Sequence, residues 1–460
     1  MTSNSSSSLW YRLAFVPLMA GLLSMTFLLG YASNDIWPDR EAIARRAAYT
    51  IPYLDAADLG VFSETPPADT TRISDPVADY RAAIALIRRG YYGTGHDTRK
   101  LTYEAIRGML ATLRDPFTSF MEPEEWERME AETKGDFEGI GAYLTAEGHD
   151  VKIAEPIENS PAEKAGLRPD DIVISVNGKS VAGKTVDEVV KLIKGKPGSR
   201  VHLGILRGKQ HLMFTITRAR VITPVVKYAM EDPEARIGYI ALKQFNERSM
   251  DQLTRALEDL KLRGARGLIL DLRDNPGGLL EVAVQVASVF VPRDEVPELR
   301  NTVVFIKEGN GQETRKTLRS DLYMLDRLPL VVLVDGGSAS ASEIVTATIK
   351  DYGVGTIVGQ RTYGKGRVQT LFPLEDNSAL RLTTATYYPP RHTDINFKTD
   401  EEGNRIPDTG GIVPDIEVKP VPGWKGLKDR KNDAQLQKAL AVLRERLTST
   451  STLQIPAGQR

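Results

Sequence analysis

Apolar positions change their period several times along this 460-residue chain, and each change marks an element. From Asp75 to about Lys134 they recur at helical spacing: Tyr80, Ile84 and Ile87, then Leu101, Ile106, Met109, Leu110 and Leu113. Arg114-Asp115-Pro116 stops that run, and Pro123-Glu124-Glu125-Trp126 opens another helix with proline and acids in its first turn. Between 135 and 219 the period shortens to that of strands. Gly139 to Leu144 and Val151 to Ala154 read as a strand pair, and Thr185 to Ile193 as a helix. Arg200 to Arg207 and Gln210 to Thr217 read as a hairpin turning at Gly208-Lys209.

From 220 to 423 wholly apolar strands alternate with helices, which predicts an α/β fold. Strand Ile237 to Ile240 precedes helix Ser249 to Leu262; strand Gly267 to Leu272 runs into Asp274-Asn275-Pro276-Gly277-Gly278 and a helix from Glu281 to Phe290. A last helix within 424–460, Asp433 to Leu447, has Leu436, Leu440, Val442, Leu443 and Leu447 on or near one face.

The most informative stretch is Val331 to Ile349. It begins as the β-branched strand Val331-Val332-Leu333-Val334 and breaks at Gly336-Gly337. It then passes Ser338, Ser340 and Ser342 and continues as a helix through Ile349. A hydroxyl at a strand-to-helix turn sits beside unpaired backbone N–H groups and the positive end of a helix dipole, where an oxyanion forms at low cost. Serine is also an ordinary helix cap, and a Gly/Ser turn can cradle a phosphate, so a catalytic reading requires a base elsewhere.

Composition narrows the search. Charged residues at 26% and hydrophobic ones at 41% describe a globular protein, and 60 basic against 61 acidic residues argue against a nucleic-acid partner. The absence of cysteine removes thiol nucleophiles, thiolate metal sites and disulfides. The uncharged run Leu13 to Gly30 is just long enough to cross a bilayer, and Gly30-Tyr31-Ala32 offers a small-x-small cleavage site. Residues 1–33 are therefore expected to be an uncleaved anchor or a signal peptide, with 34–74 a linker. Either places the rest on the extracytoplasmic, periplasmic side, anchored to the cytoplasmic membrane or secreted.

Of the five histidines, His96 lies in a polar loop and His149, His202 and His211 fall between 135 and 219. His392 alone shares the α/β region with the serines and carries no signal of a triad. Lys365, in Gly364-Lys365-Gly366-Arg367-Val368-Gln369, is flanked by glycines that let the backbone pack closely and its amine insert. A lysine works as a general base when its pKa falls from about 10.4 toward 7, a preference of about 4 kcal/mol that burial supplies. A Ser–Lys pair is a known variant of the serine triad. An exposed or anion-binding loop lysine is the ordinary alternative.

Two resemblances draw these features together. Residues 135–219, with Gly139-Ile140-Gly141-Ala142, Pro161-Ala162-Glu163-Lys164-Ala165-Gly166-Leu167 and Asp171-Ile172 through Asn177-Gly178, resemble a PDZ domain. The resemblance implies that the backbone of Gly139, Ile140, Gly141 and Ala142 takes a peptide C-terminal carboxylate.

Gly337-Ser338-Ala339-Ser340-Ala341-Ser342-Glu343, the Lys365 loop and Asp271-Leu272-Arg273 with Asn275-Pro276-Gly277-Gly278 together resemble the C-terminal processing, or tail-specific, serine peptidases. The order of segments agrees from about 75 to 447. The resemblance implies a ClpP/crotonase-like α/β core with an inserted PDZ domain and flanking helical segments. It assigns Ser340 as nucleophile, Lys365 as base and Gln369 as the residue orienting the lysine. Backbone N–H groups of Ala341 and of the Gly277-Gly278 turn are the oxyanion candidates. Ser338 and Ser342 are left with turn and cap roles.

Expected partners are protein or peptide substrates with free C-termini, the membrane through the N-terminal segment, and by family likeness a second copy of the chain or an adaptor. No metal or cofactor is implied. Tyr387-Tyr388-Pro389-Pro390-Arg391-His392 lacks the family's Ser-Gly-Arg, and a polar insertion, Thr399 to Asn404, precedes Gly411-Ile412-Val413-Pro414-Asp415; loop geometry and substrate preference are open there. The alternative function is a catalytically idle PDZ scaffold that only binds tails.

Overall fold

The computed structural model describes residues 76–93, 97–400, 404–421 and 429–452. The expected N-terminal anchor and linker, and His96, lie outside the described residues. Among the described residues no helix is long and apolar enough to cross a membrane. The chain divides into residues 1–92 and 93–460. The described part of the first unit is helix α1 (Pro76–Gly90), with Asp79 in its first turn and Arg88 and Arg89 in its last, charges that complement the helix dipole.

The second unit opens with α2 (Thr98–Ala111), β1 (Ser119–Met121) and α3 (Pro123–Lys134). Glu125 reaches back to the Glu122 N–H at the start of α3, and Gly135 ends it at φ 70°. A small β-rich region follows: β2 (Asp136–Gly139), β3 (Ala142–Glu147), β4 (Asp150–Pro156), α4 (Pro161–Lys164), β5 (Ile172–Val176), β6 (Lys179–Ser180), α5 (Val186–Ile193), β7 (Arg200–Arg207), β8 (Gln210–Thr217) and β9 (Ala219–Ile222). Its sheet runs β3-β4-β5-β7-β8, with β6 paired to β5, around Ile153, Val173, Val201, Leu203 and Ile205. The β7–β8 hairpin turns at Gly208-Lys209. Antiparallel β2 and β9 lead the chain out of the rest of the unit and back.

The larger region comprises β10 (Val226–Asp232), β11 (Ile237–Leu242), α6 (Ser249–Leu262), β12 (Gly267–Asp271), α7 (Leu280–Phe290), β13 (Thr302–Glu308), β14 (Glu313–Thr317), β15 (Leu330–Val334), α8 (Ala341–Asp351), β16 (Thr356–Gly359), β17 (Arg367–Pro373), β18 (Ala379–Tyr388), β19 (Ile416–Glu417) and α9 (Ala434–Thr452). Its main sheet has the order β10-β11-β12-β15-β16-β19 and is parallel except for β10. Strand residues alternate between two cores, as a strand covered on both faces must. Leu268, Leu270, Leu330, Val332 and Val334 face the core of α6, α7 and α8, whereas Ile269, Val331 and Leu333 meet Leu436, Ala439, Leu440 and Leu443 of α9. The apolar face of the last helix thus closes the sheet. A second sheet, β1-β18-β13-β14 with β17 on β18, has mixed, half-exposed strands that the periodicity did not announce.

One polar cluster fastens α9. Arg273, buried, pairs with Asp271 (2.7 Å) and with Asp433 (2.8 Å), and donates to Gln435 (3.0 Å). Tyr239 donates to Asp271 (2.7 Å), and Asp433 also accepts the Leu436 N–H (3.0 Å), capping α9. A guanidinium between two buried carboxylates cannot be withdrawn without leaving like charges unpaired in a dry interior. Arg273→Leu is therefore expected to cost about 3–5 kcal/mol in unfolding free energy by urea titration. A loss under about 1 kcal/mol would contradict this reading of the cluster.

Candidate active site

Strands β12, β15 and β16 run parallel, and the turns leaving their C-terminal ends meet, the position where open α/β sheets hold ligands. After β15 the Asp335 carboxylate accepts the N–H groups of Gly337 (2.9 Å) and Asp274 (3.0 Å), joining the β15 turn to the β12 turn. Ser338 donates to Leu272 O (2.8 Å) and accepts the Asp335 N–H (3.0 Å), a turn role. Ser340 follows at φ 54° and ψ −112°, a left-handed backbone that costs a non-glycine residue about 1–3 kcal/mol and persists only where its surroundings enforce it.

Helix α8 starts at Ala341, so Ser340 occupies the N-cap position. The cap role expected for Ser342 is corrected accordingly. The helix begins one residue before it, and its hydroxyl instead donates to Asn275 O (2.9 Å), fixing the β12 turn against α8.

Two buried side chains hold the Ser340 and Lys365 segments together. Glu343 accepts from the Ser340 N–H (2.9 Å), Thr362 Oγ1 (2.6 Å), the Gly364 N–H (2.6 Å) and the Lys365 N–H (2.8 Å). Burial pushes its carboxyl pKa upward, and these hydrogen bonds pull against it. Every partner is a donor, so the site is built to hold the carboxylate. The Tyr387 hydroxyl lies 2.5 Å from Lys365 O and 3.0 Å from Ser340 O, its one proton shared between the two carbonyls. Gly364, at φ 91°, packs so closely that a Cβ would lie 2.9 Å from Gly411 N.

The Lys365 side chain is half-buried, and its Nζ lies 5.1 Å from the centre of the Phe117 ring. Phe117 meets Phe397 at 5.9 Å, and Arg405 lies over both Tyr363 (4.9 Å) and Phe397 (5.0 Å) while donating to Tyr363 O (2.6 Å). The Thr399–Arg405 bridge belongs to the polar insertion, whose flank thereby buttresses the aromatic wall beside the lysine. Among the described residues the amine makes no hydrogen bond or ion pair. Burial, then the Arg381 charge, holds its pKa below the ordinary value, with Glu343 and Asp115 opposing more weakly. Gln369 lines the same cleft, but its amide donates to Thr383 Oγ1 (3.3 Å) and not to the lysine.

The Gly277-Gly278 turn lies against Ser340. A Cβ on Gly277 would fall 2.8 Å from both Ala341 N and Ser340 Cβ. The Gly277 N–H donates to Asn275 Oδ1 (2.9 Å), and that buried amide donates to Leu242 O (2.8 Å). The N–H groups of Gly278 and Ala341 have no hydrogen-bond partner among the described residues. A cleft of about 680 Å³ exposes Ser340, Ala341, Gly277, Gly278, Lys365 and Gln369 together; Met129, Glu132 and Thr133 of α3 form another of its walls, and no described histidine lines it.

In the β-rich region the Ile140 carbonyl accepts the Ala162 N–H (2.7 Å), and the Gly141 carbonyl accepts the Ile157 N–H (2.9 Å) and Ser160 Oγ (2.8 Å). The N–H groups of Ile140 and Gly141 have no partner among the described residues. Gly141 sits at φ 80°, where a Cβ would fall 2.4 Å from Ser160 Cβ. The adjoining β3, which begins at Ala142 and follows Gly139 of β2, is an edge strand beside α5.

Comparison with known proteins agrees with this division. Residues 236–418 match the model of peptidase family S41, and residues 152–207 that of a PDZ domain. A carboxy-terminal-processing protease of Bartonella bacilliformis is 37% identical over 360 residues, 76% of this chain and 77% of that protein. A probable CtpA-like serine protease of Staphylococcus haemolyticus is 35% identical over 353 residues, 75% of this chain and 67% of that protein. The crystal structure of a putative S41 protease from Bacteroides fragilis, 17% identical, has a TM-score of 0.50 over 79% of this chain and 97% of that one, a likeness of fold.

Two substitutions test the electrostatics. Glu343→Gln puts amide hydrogens where four donors converge and is expected to cost about 3 kcal/mol in urea unfolding; an unchanged midpoint would sink the hub assignment. Lys365→Met should raise the thermal midpoint at pH 7. The amine's pKa is depressed on folding, so it costs stability below the folded pKa, and that cost vanishes above the unfolded value of about 10.4. The gain should shrink as pH rises through that window, and a pH-independent difference would contradict it.

Proposed function

Because the chain belongs to peptidase family S41, the carboxy-terminal-processing serine proteases, we propose that Ser340 and Lys365 form its catalytic dyad and that its PDZ domain selects substrates by their C-terminal tails. The observation that carries this reading is the convergence on one cleft of Ser340, in a strained turn, and a half-buried Lys365 whose amine has no hydrogen bond or ion pair among the described residues.

In this mechanism the neutral Lys365 amine takes the Ser340 proton as Oγ attacks the scissile carbonyl carbon. The carbonyl oxygen becomes an oxyanion that accepts from the Ala341 and Gly278 N–H groups; Gly277, whose N–H is held by Asn275, supplies close approach instead. The lysine then gives its proton to the departing amine, and the acyl group stays on Oγ. A water molecule, deprotonated by the regenerated amine, releases the acid and restores the serine. Gln369 Oε1 can accept an N–H from the amine when substrate enters. It orients the base without a negative charge, which would raise the lysine pKa.

The N–H groups of Ile140 and Gly141, without partners among the described residues, support capture of a substrate carboxylate there, with the tail added to the edge strand β3. The apolar run Leu13 to Gly30 supports action outside the cytoplasmic membrane. A reporter fused after residue 460 should be active only where export is intact, and equal activity in the cytoplasm would remove that assignment.

A protein substrate with a free C-terminal tail should be cleaved by the native enzyme and lose about 10⁴-fold or more in kcat with Ser340→Ala or Lys365→Ala. Undiminished cleavage by either variant would eliminate the dyad, whereas tail binding without turnover by the native chain would favour a scaffold. The lysine must be neutral, so the rate should fall as pH drops through a pKa below about 10.4. Phe117→Ala, which admits water to the amine, should move that limb to higher pH; a limb that does not move would contradict the role given to the ring.

A further inference from the structure

Besides Lys365, two cations that the proton relay leaves unused line the cleft: Arg367, exposed and donating to Thr386 Oγ1 (3.4 Å), and Arg381, half-buried. Arg381 of β18 stands opposite Leu371 of β17, two residues from Thr383 opposite Gln369, so these four side chains share the face that borders the cleft. The Arg381 Nε is buried without a hydrogen-bond partner, and among the described residues the side chain makes no hydrogen bond, ion pair or ring contact. Other sequestered arginines among the described residues have an ion pair or a carbonyl partner, including Arg248, whose Nε is likewise buried without a partner but whose Nη2 pairs with Asp136. Arg207 pairs with Asp171, Arg273 with Asp271 and Asp433, and Arg218 donates to the carbonyls of Ile193 and Arg200.

Nearby acids do not supply the missing partner. Glu281 pairs with Lys316, and Glu132, the other acid lining the cleft, forms no ion pair among the described residues, with Arg381 or any other cation. Asp115 is taken by Thr118 Oγ1 and the Phe117 N–H, and Glu343 by its four donors. A guanidinium presents a planar fork of donors that fits a carboxylate and, unlike an amine, stays charged when sequestered.

We propose that Arg381 receives a carboxylate of the substrate, making the cleft selective for peptides with an acidic side chain close to the scissile bond. This rests on the reading of the Ser340–Lys365 cleft as the peptidase site. The site is distinct from the Gly139–Ala142 turn, so one substrate can present its terminal carboxylate there and a side-chain carboxylate here.

The arrangement also links selectivity to the base. Lys365 is faced by Arg381 from β18, by Glu343 from α8 and by Asp115 from the segment after α2. A bound carboxylate partly neutralises Arg381, the one cation among them. The acidic limb of kcat should then lie at higher pH for an acidic peptide than for its neutral twin.

The test uses the full-length enzyme and paired peptides that differ only by glutamate or glutamine at successive positions around the cleaved bond, each with a free or an amidated C-terminus. The native enzyme is expected to favour glutamate at one position by about tenfold in kcat/KM. Arg381→Lys should keep part of that ratio, Arg381→Met should abolish it, and Arg381→Glu should reverse it toward a lysine-bearing peptide. A preference that follows the free terminus and not the side chain would point to the Gly139–Ala142 turn and overturn the assignment of Arg381. The same ratio in the native enzyme and Arg381→Met, both still cleaving, would overturn the inference while leaving the dyad intact. Cleavage that survives Ser340→Ala would instead overturn the dyad.

Discussion

Glu343 lies wholly beneath the surface, and four donors from two separate loops converge on its two oxygens. A carboxylate removed from water is tolerated only while its hydrogen bonds are made, so any motion that parts the Ser340 turn from the Lys365 loop strands a buried charge. Tyr387 repeats the constraint on the carbonyl side, with one hydroxyl spanning Ser340 O and Lys365 O. Backbone placement is therefore settled by residues that never touch the reacting atoms. The strained φ of Ser340 becomes affordable for the same reason, since its N–H and C=O are both held from outside the turn.

The sheet sets where those loops can be. Parallel β12, β15 and β16 deliver three consecutive turns to one edge, and the helices α7 and α8 on one face and α9 on the other fix the strands in register. The Arg273 cluster extends that grip. It joins the cap of α9 to the residue that begins the Asp274–Gly278 turn, so the last helix and the oxyanion candidates share one support. Around Lys365 the logic reverses. Phe117, with Phe397 and Arg405 behind it, covers the amine with apolar surface and offers it only a ring face, and burial outweighs that contact in holding the lysine pKa down.

Much of this was legible from the chain because the responsible patterns are local. Apolar strands such as Val331 to Val334 and helices such as Ser249 to Leu262 declare themselves by period. Gly277, Gly278 and Gly364 mark backbone that a side chain would block. The serine order was legible too, although the cap proved to be Ser340 and not Ser342, a shift of the helix start that propensity does not resolve. Glu343 stands three residues after that cap, the spacing of a capping box, so its contact with the Ser340 N–H could have been found. Its bonds to Thr362, Gly364 and Lys365 could not, since they depend on the pairing of β15 with β16. Phe117, Tyr387 and Arg381 were hidden for the same reason, contributed by strands and loops of a second sheet whose period is too weak to read.

Lys365 lies where burial favours the neutral amine, and the proposed chemistry depends on that placement. The direct measurement is a carbon-13 NMR titration of the lysine side chains in Ser340→Ala enzyme, with the Lys365 signal assigned by its loss in Lys365→Met. One lysine is expected to deprotonate below about 10.4, its signal identified as Lys365. A Lys365 signal that titrates at or above that value would contradict the account.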